Sequence, residues 1–320
     1  MERGGKLQII VSEVIWPVGL KRLREYGDVF YDPNLWRRRK ELAERIQRAD
    51  ALVVRNQTRV DMALLNEAKH LKVIGRLGVG FDNIDLRAAR SRGIAVVYGR
   101  NANATSVAEY VMAAILHCSR RLFAADRDVR AGGWDRSWFG GNEIFGKVLG
   151  LVGLGEIAHR VAKRAMAFGM RVIGYDPYVT PFDFPVVETG VKWVDFSELL
   201  QSADFISLHV PLNDETRYLF SLSEFRQMKP TAWIINSSRG GVIHEGDLAA
   251  ALEYGMIGGA VLDVLEKEPV SPDHPLLDHD RVVFTPHIAG LTEEAQIRTS
   301  CLVAEEVIRV LSGQPSLYSV

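Results

Sequence analysis

Short apolar runs alternate with amphipathic segments along almost the whole sequence, and this alternation leaves few folds open. Before Asn101 the runs are "LQIIVSEV", "DVFYD", "ALVVRN", "KVIGRLG" and "IAVVYG". Between them lie "GLKRLREY", "NLWRRRKELAERIQRA", "MALLNEAKH" and "NIDLRAARSR", whose apolar residues recur at helical spacing. Strand and helix taking turns in this way predict a parallel sheet covered by helices on both faces. From Lys147 the alternation restarts with "VLGLVG", "RVIGYD", "FISLHVP", "AWIINSS", "GAVLDV" and "VVFTP". Between the two blocks a long helical stretch is expected from about Thr105 to Arg130, followed by the loop "AGGWDRSWFGGNEIFG". A last helix is expected over "TEEAQIRTSCLVAEEVIRVLSG". The sequence therefore reads as two doubly wound α/β domains, and 320 residues suit about two cores.

Composition narrows the function classes. The net charge is −1, which offers neither a nucleic-acid surface nor a polybasic membrane patch. The one dense basic run, Arg37 to Lys40, leads into "ELAERIQ" and reads as a solvated helix face. Cys118 and Cys301 lack the spacing of a zinc site or a disulfide framework, so no metal is expected and a reducing compartment is the natural setting. The N-terminal "MERGGKLQIIVSEVIW" has too short an apolar run for a signal peptide, and no uncharged apolar stretch reaches membrane-spanning length. A soluble cytoplasmic protein is expected.

The second block opens on Gly153-Leu-Gly155-Glu-Ile-Ala158, a G-x-G-x-x-A turn between a strand and a helix. The first glycine permits the tight turn, the second lets the backbone approach a pyrophosphate, and the small Ala158 lets the helix lie close to the sheet. The helix N-terminus then offers free N–H groups and partial positive charge to phosphates. The next strand ends in Asp176, 21 residues beyond Gly155, where an acidic side chain binds ribose hydroxyls. A carboxylate there repels a 2′-phosphate, and "PYVTPFDF" brings no cation to hold one, so NAD is favoured over NADP.

Three later segments carry chemistry past strand ends: "IINSSRGG" with Arg239, "LDVLEKEP" with Glu268 and "FTPHIAG" with His287. The carboxyl ends of parallel strands are where such sheets bind ligands. Reduction of a 2-oxo acid needs a hydride donor, a cation for the carboxylate and a proton for the developing alkoxide. Arg binds carboxylates through charge-assisted, paired donors. His exchanges protons near neutral pH, and a neighbouring Glu favours imidazolium and fixes the ring.

With these segments together the chain resembles the D-isomer-specific 2-hydroxyacid dehydrogenase family, most closely its phosphoglycerate-dehydrogenase branch. The resemblance runs through "RLGVGFDNID", "NATSVAEYVM", "GKVLGLVGLGEIA", "LHVPLNDETRYLF", "FRQMKPTAWIINSSRGG", "GGAVLDVLEKEP" and "VVFTPHIAGLTEEA". It implies Arg239, Glu268 and His287 as the catalytic trio, and Val79 and Gly80 N–H groups, with Arg239, on the substrate carboxylate. It implies NAD contacts from Gly153, Gly155, Glu156, Ile157, Asp176, Val210, Pro211, Ser237, Ser238, Arg239, Asp263, His287 and Gly290. It also implies a discontinuous flavodoxin-like substrate domain, residues 1–101 with 291–320, into which a Rossmann NAD-binding domain of residues 102–290 is inserted. The site would lie in the cleft between them, and the helix from Thr105 with the Trp134 loop would help form a homodimer. Departures from the family pattern are Ala158 for the third glycine, His159 after it, and Ser238 for the commoner Ala. The C-terminal regulatory domain of some phosphoglycerate dehydrogenases is not expected.

The substrate reading is a small D-2-hydroxy or 2-oxo acid with a second anionic group, of the 3-phosphoglycerate or sulfolactate kind. It rests on Arg55 and Arg76, which follow apolar runs and should emerge at one carboxyl edge of the first sheet. The other reading of the two is as surface arginines paired with nearby acids. Alternative functions are a hydroxypyruvate or glyoxylate reductase, or a dinucleotide-sensing binding protein of the corepressor kind. Formate dehydrogenase relatives carry a Gln as the partner of His, and Glu268 argues against them.

Overall fold

In the computed structural model, residues 6–320 are described. The first five residues, part of the N-terminal stretch too short in apolar run for a signal peptide, lie outside them. Elements follow the chain as β1 (Gln8–Val11), α1 (Pro17–Tyr26), β2 (Asp28–Tyr31), α2 (Arg39–Ile46), β3 (Ala51–Val54), α3 (Met62–Glu67), β4 (Val73–Arg76), α4 (Leu86–Ser91) and β5 (Ala95–Tyr98). Then come α5 (Ala104–Arg120), α6 (Leu122–Arg130), β6 (Val148–Val152), α7 (Glu156–Ala167), β7 (Arg171–Tyr175), α8 (Phe184–Val187), β8 (Lys192–Trp193), α9 (Phe196–Ser202) and β9 (Phe205–Leu208). The last are α10 (Leu222–Phe225), β10 (Trp233–Asn236), α11 (Glu245–Glu253), β11 (Gly259–Leu262), β12 (Val282–Phe284) and α12 (Glu293–Leu311). The chain separates into two compact units. One ends at Asn103 and resumes over Leu291–Val320, and the other is Ala104–Gly290.

The first unit carries a five-stranded sheet in the order β2-β1-β3-β4-β5, every pair parallel. Strand β3 reads Ala-Leu-Val-Val and is buried on both faces. Ile10, Leu52, Val54 and Ile74 join the core on one face. Ile9, Val11, Val53 and Val73 join that on the other, where Val303, Ala304 and Val307 of α12 close it. The last helix thus returns to the first domain because its apolar stripe completes that core. The order reverses between β1 and β3, so the loops after these two strands open a crevice at the carboxyl edge.

The second unit has a seven-stranded parallel sheet in the order β12-β11-β10-β9-β6-β7-β8. Here the reversal falls between β6 and β9, beside the glycine turn. Helices α5 and α7 cover one face, with Ala108, Val111, Met112 and Ile115 meeting Ala158, Val161 and Ala162. The expected stretch from Thr105 to Arg130 is two helices rather than one. Arg121 stands in the left-handed region (φ 50) between α5 and α6 and turns the chain. The break leaves α6 with no buried residue, although its sequence keeps helical periodicity. Strand β8, of two residues, was too short to show as a periodic run.

Candidate active site

The glycine turn is built as its residue types require. Gly153 adopts φ +88, and a Cβ there would lie 2.6 Å from the His209 carbonyl oxygen. Gly155 caps α7 without a side chain, and nothing lies within 4 Å of where its Cβ would stand. Open space therefore faces an uncapped helix N-terminus that begins at Glu156 and Ile157. Asp176 is fixed beside it: Leu154 N donates to Oδ2 and Tyr178 N to Oδ1, both at 2.9 Å. A carboxylate offers about four acceptor positions, so capacity remains for hydroxyls. Across the crevice, Val210 and Pro211 follow β9. Ser237 Oγ is buried with no hydrogen-bond partner among the described residues. Cradle, carboxylate and waiting hydroxyl fit a dinucleotide. His159 does not disturb the helix start; its ring stacks on Phe184 with centroids 5.9 Å apart.

Arg239, Glu268 and His287 follow β10, β11 and β12, neighbouring strands of one sheet. Asn236, which the sequence did not single out, shapes the turn before Arg239. Its amide oxygen accepts from Ser238 N and Oγ, and its Nδ2 donates to Arg239 O. The Ser238 hydroxyl is thereby used within the turn. Arg239 Nη1 donates to Ser238 O at 2.7 Å.

Glu268 and His287 form a pair, with Nδ1 and Oε2 2.8 Å apart and both side chains partly exposed. Burial raises the Glu268 carboxyl. The hydrogen bond and charge of His287, the Leu265 N–H and the Arg239 charge outweigh it, and the group stays below the usual carboxylate range. An ionised carboxylate only accepts, so Nδ1 carries the donated proton and Nε2 is the nitrogen left for chemistry.

The segment bearing His287 is clamped by Asp263, which is 2% exposed. Its Oδ1 accepts from Thr285 Oγ1 and Ile288 N, and its Oδ2 from Ala289 N, at 2.6 to 2.8 Å. The hydroxyl of Tyr110, on α5, lies 2.6 Å from Thr285 Oγ1. Thr285 gives its one proton to Asp263, so Tyr110 is the donor. Burial pushes the Tyr110 phenol up to about 12 and keeps that proton in place. His287 itself lies in the left-handed region, φ 56, a conformation that costs about 1 kcal/mol and that these bonds hold. Asp263, which the resemblance puts at the cofactor, grips the His287 loop with its carboxylate.

In the first unit, Arg55 and Arg76 stand at one carboxyl edge, since Val54 pairs with Arg76 across β3 and β4. The buried Glu13 carboxylate accepts from Arg55 N, Gln57 N and Thr58 N and so fixes the Arg55 turn. The Arg55 guanidinium is pulled below its usual value by burial, with the Glu13 charge opposing. Arg76 differs from expectation. It is buried and donates from Nε to Gly80 O and from Nη1 to Leu77 O, both at 2.7 Å. Its guanidinium folds around the loop that carries Val79 and Gly80. The N–H groups of those two residues have no acceptor among the described residues.

A Glu268→Gln variant tests the carboxylate directly. A depressed folded-state value adds stability above the ordinary carboxylate range and loses it as pH falls through the folded value. The melting temperature of wild type should exceed that of the variant near neutral pH, and the gap should shrink below about pH 4. An unchanged gap in thermal melts across that range removes the paired carboxylate from the account.

The sequence has clear relatives. The model of the D-isomer specific 2-hydroxyacid dehydrogenase, NAD binding domain, matches residues 112–289. A D-3-phosphoglycerate dehydrogenase of Archaeoglobus fulgidus is 42% identical over 309 residues, 97% of this chain and 58% of that protein. A glyoxylate reductase of Thermofilum pendens is 39% identical over 313 residues, 96% of this chain and 92% of that one. The chain thus spans little more than half the length of the phosphoglycerate dehydrogenases it matches. Among solved structures, a glyoxylate reductase from Paecilomyes thermophila superposes with a TM-score of 0.89 at 29% identity, covering 99% of both chains.

Proposed function

We infer that this chain, which belongs to the D-isomer specific 2-hydroxyacid dehydrogenase family, interconverts a small 2-oxo acid and its D-2-hydroxy acid with NAD. The observation that carries the reading is the ionised Glu268 on His287 Nδ1, with Arg239 on the neighbouring strand end. The hydride would come from, or go to, the nicotinamide of a bound NAD. Arg239 and the N–H groups of Val79 and Gly80 hold the carboxylate. His287 Nε2 gives its proton to the carbonyl oxygen as it becomes an alkoxide, or takes it back in oxidation. Glu268 stabilises the imidazolium and keeps Nε2 turned outward. Gly153, Gly155, Glu156 and Ile157 receive the pyrophosphate, and Asp176 the adenosine ribose. Val210, Pro211, Ser237, Ser238, Arg239, Asp263, His287 and Gly290 line the rest of the cofactor site in this reading. A soluble cytoplasmic setting accompanies it; among the described residues no helix is long and apolar enough to cross a membrane.

Arg55 supports a substrate with a second anionic group. Its guanidinium is partly desolvated beside an already committed Glu13, and its planar fork of donors suits the oxygens of a phosphate or sulfonate. Arg76 acts on that substrate through the Val79–Gly80 loop it shapes. The test is NAD(H)-linked turnover of 3-phosphoglycerate, sulfolactate, glycerate and lactate. His287→Ala should lose at least ~10²-fold in kcat with cofactor affinity nearly unchanged. Arg55→Ala should cost roughly 10- to 150-fold on the anionic-tail acids only, the scale of a charge-assisted contact. Equal efficiency on lactate, with Arg55→Ala without effect, assigns the chain to uncharged-tail acids such as glyoxylate or hydroxypyruvate. No turnover of any acid, with dinucleotide still bound, supports the sensing reading instead.

NADH should outperform NADPH in the same assay. Asp176→Ala with Pro177→Arg should narrow or reverse that preference, since it replaces a repelling carboxylate with a phosphate ligand. A wild-type preference for NADPH overturns the role of Asp176.

A homodimer is part of the proposal. Leu122, Phe123 and Val129 of α6, with Trp134, Trp138 and Phe145 after it, are all exposed, Phe123 at 71% and Trp134 at 77%. An apolar surface of this kind marks an interaction site. Light scattering should give twice the chain mass for wild type and a lighter species for Phe123→Asp. A monomeric wild type excludes the dimer.

A further inference from the structure

The loop from Asp263 to Glu268 is held from outside the acid–base pair. Glu266 N donates to Glu245 Oε1 at 2.6 Å, and Glu245 N donates back to Glu266 Oε1 at 3.1 Å. The Tyr218 hydroxyl donates to Glu266 Oε2 at 3.0 Å. The second oxygen of Glu245 meets His274 Nε2 at 2.8 Å, in a pair whose side chains are only 11% and 17% exposed. His274 Nδ1 faces the Leu276 N–H at 3.4 Å, so Nε2 is the donor to Glu245. Gly240 also presses on the loop, and a Cβ there would lie 2.0 Å from the Leu265 carbonyl carbon. Leu265 N in turn donates to Glu268 Oε1, whose partner oxygen holds His287.

The contacts therefore form one line from His274 through Glu245, the Glu266 backbone and Leu265 N to Glu268 and His287. We propose that Glu245 and His274 are a positioning couple that sets how Glu268 presents its carboxylate to His287. Neither residue touches the reacting atoms. Two carboxylates lie close together here, and each is held by hydrogen-bond donors. Glu245 has the Glu266 N–H and His274, while Glu266 has the Glu245 N–H and Tyr218. His244 and Asp247, 3.3 Å apart, are the other titratable pair at the start of α11. Removing the His274 donor leaves Glu245 buried and under-bonded, a cost that is relieved by letting the Glu266 backbone move.

The inference rests on the dehydrogenase reading, so its first readout needs neither substrate nor cofactor. The His287 ring is titrated by NMR in wild type, His274→Ala, His274→Gln, Glu245→Gln and Glu268→Gln. Glu268→Gln should lower the His287 midpoint, because the imidazolium loses its anion. His274→Ala should lower it in the same direction and by less, and His274→Gln, whose amide can still donate to Glu245, should restore it. In turnover, His274→Ala should lose about 10-fold in kcat at unchanged KM for NADH, the scale of a small misplacement of catalytic groups. In the Glu268→Gln background it should add almost nothing, because the two substitutions act on one path. An unmoved His287 midpoint in His274→Ala, or losses that simply add in the double variant, overturns the couple. Should His274→Ala not fold, Glu245→Gln, which keeps the side-chain shape, carries the same titration, and an unmoved midpoint there also overturns it. A wild type that turns over no 2-oxo acid defeats the functional reading alone, since the titration still decides the positioning.

Discussion

Carboxylates buried behind the functional loops, each accepting backbone N–H groups, are the interaction on which the rest of this structure depends. Glu13 holds the turn of Arg55, Asp263 holds the segment of His287, and Glu245 holds the loop of Glu268. Glu306 does the same for the C-terminal residues, accepting from Leu317 N and Tyr318 N. Loops at the carboxyl edge of a parallel sheet end outside the ladder, and their N–H groups need acceptors. A carboxylate can take several at once and loses little by burial when it does. An unmade bond at such a point costs about 1–3 kcal/mol, so each loop has one well-determined position.

That rigidity explains how exposed chemistry remains ordered. Glu268 and His287 are half in solvent, where an isolated ion pair contributes little. Their mutual geometry is set instead by what stands behind them: the Asp263 clamp on one side, the Glu245 contact and the close pass at Gly240 on the other. The same division appears in the first unit. Arg76 donates into the Leu77 and Gly80 carbonyls, while Val79 and Gly80 keep their N–H groups available.

Features encoded by neighbouring residues were legible. The glycine turn, its preceding strand and its following helix lie within some twenty residues, and their residue types admit one local geometry. The buried strands read out directly because parallel sheets make near-continuous apolar runs. The break at Arg121 was not legible, because no glycine or proline marks it and the apolar periodicity runs through it. The inward turn of the Arg76 guanidinium was equally hidden, since an arginine at a strand end reads the same whether it meets a ligand or its own loop.

The sequence by itself determined two parallel α/β sheets, the dinucleotide turn with Asp176, and which strand ends carry Arg239, Glu268 and His287. These follow from short-range periodicity and from residue types whose chemistry is local. Only the tertiary structure decided that Asp263 clamps the His287 loop, that Tyr110 and Thr285 extend that clamp, and that Glu245 and His274 stand behind Glu268. Their partners lie some 20 residues or more away along the chain. Side-chain hydrogen bonds over such separations depend on which strands become neighbours and how each loop folds back, and no pattern along the chain records that.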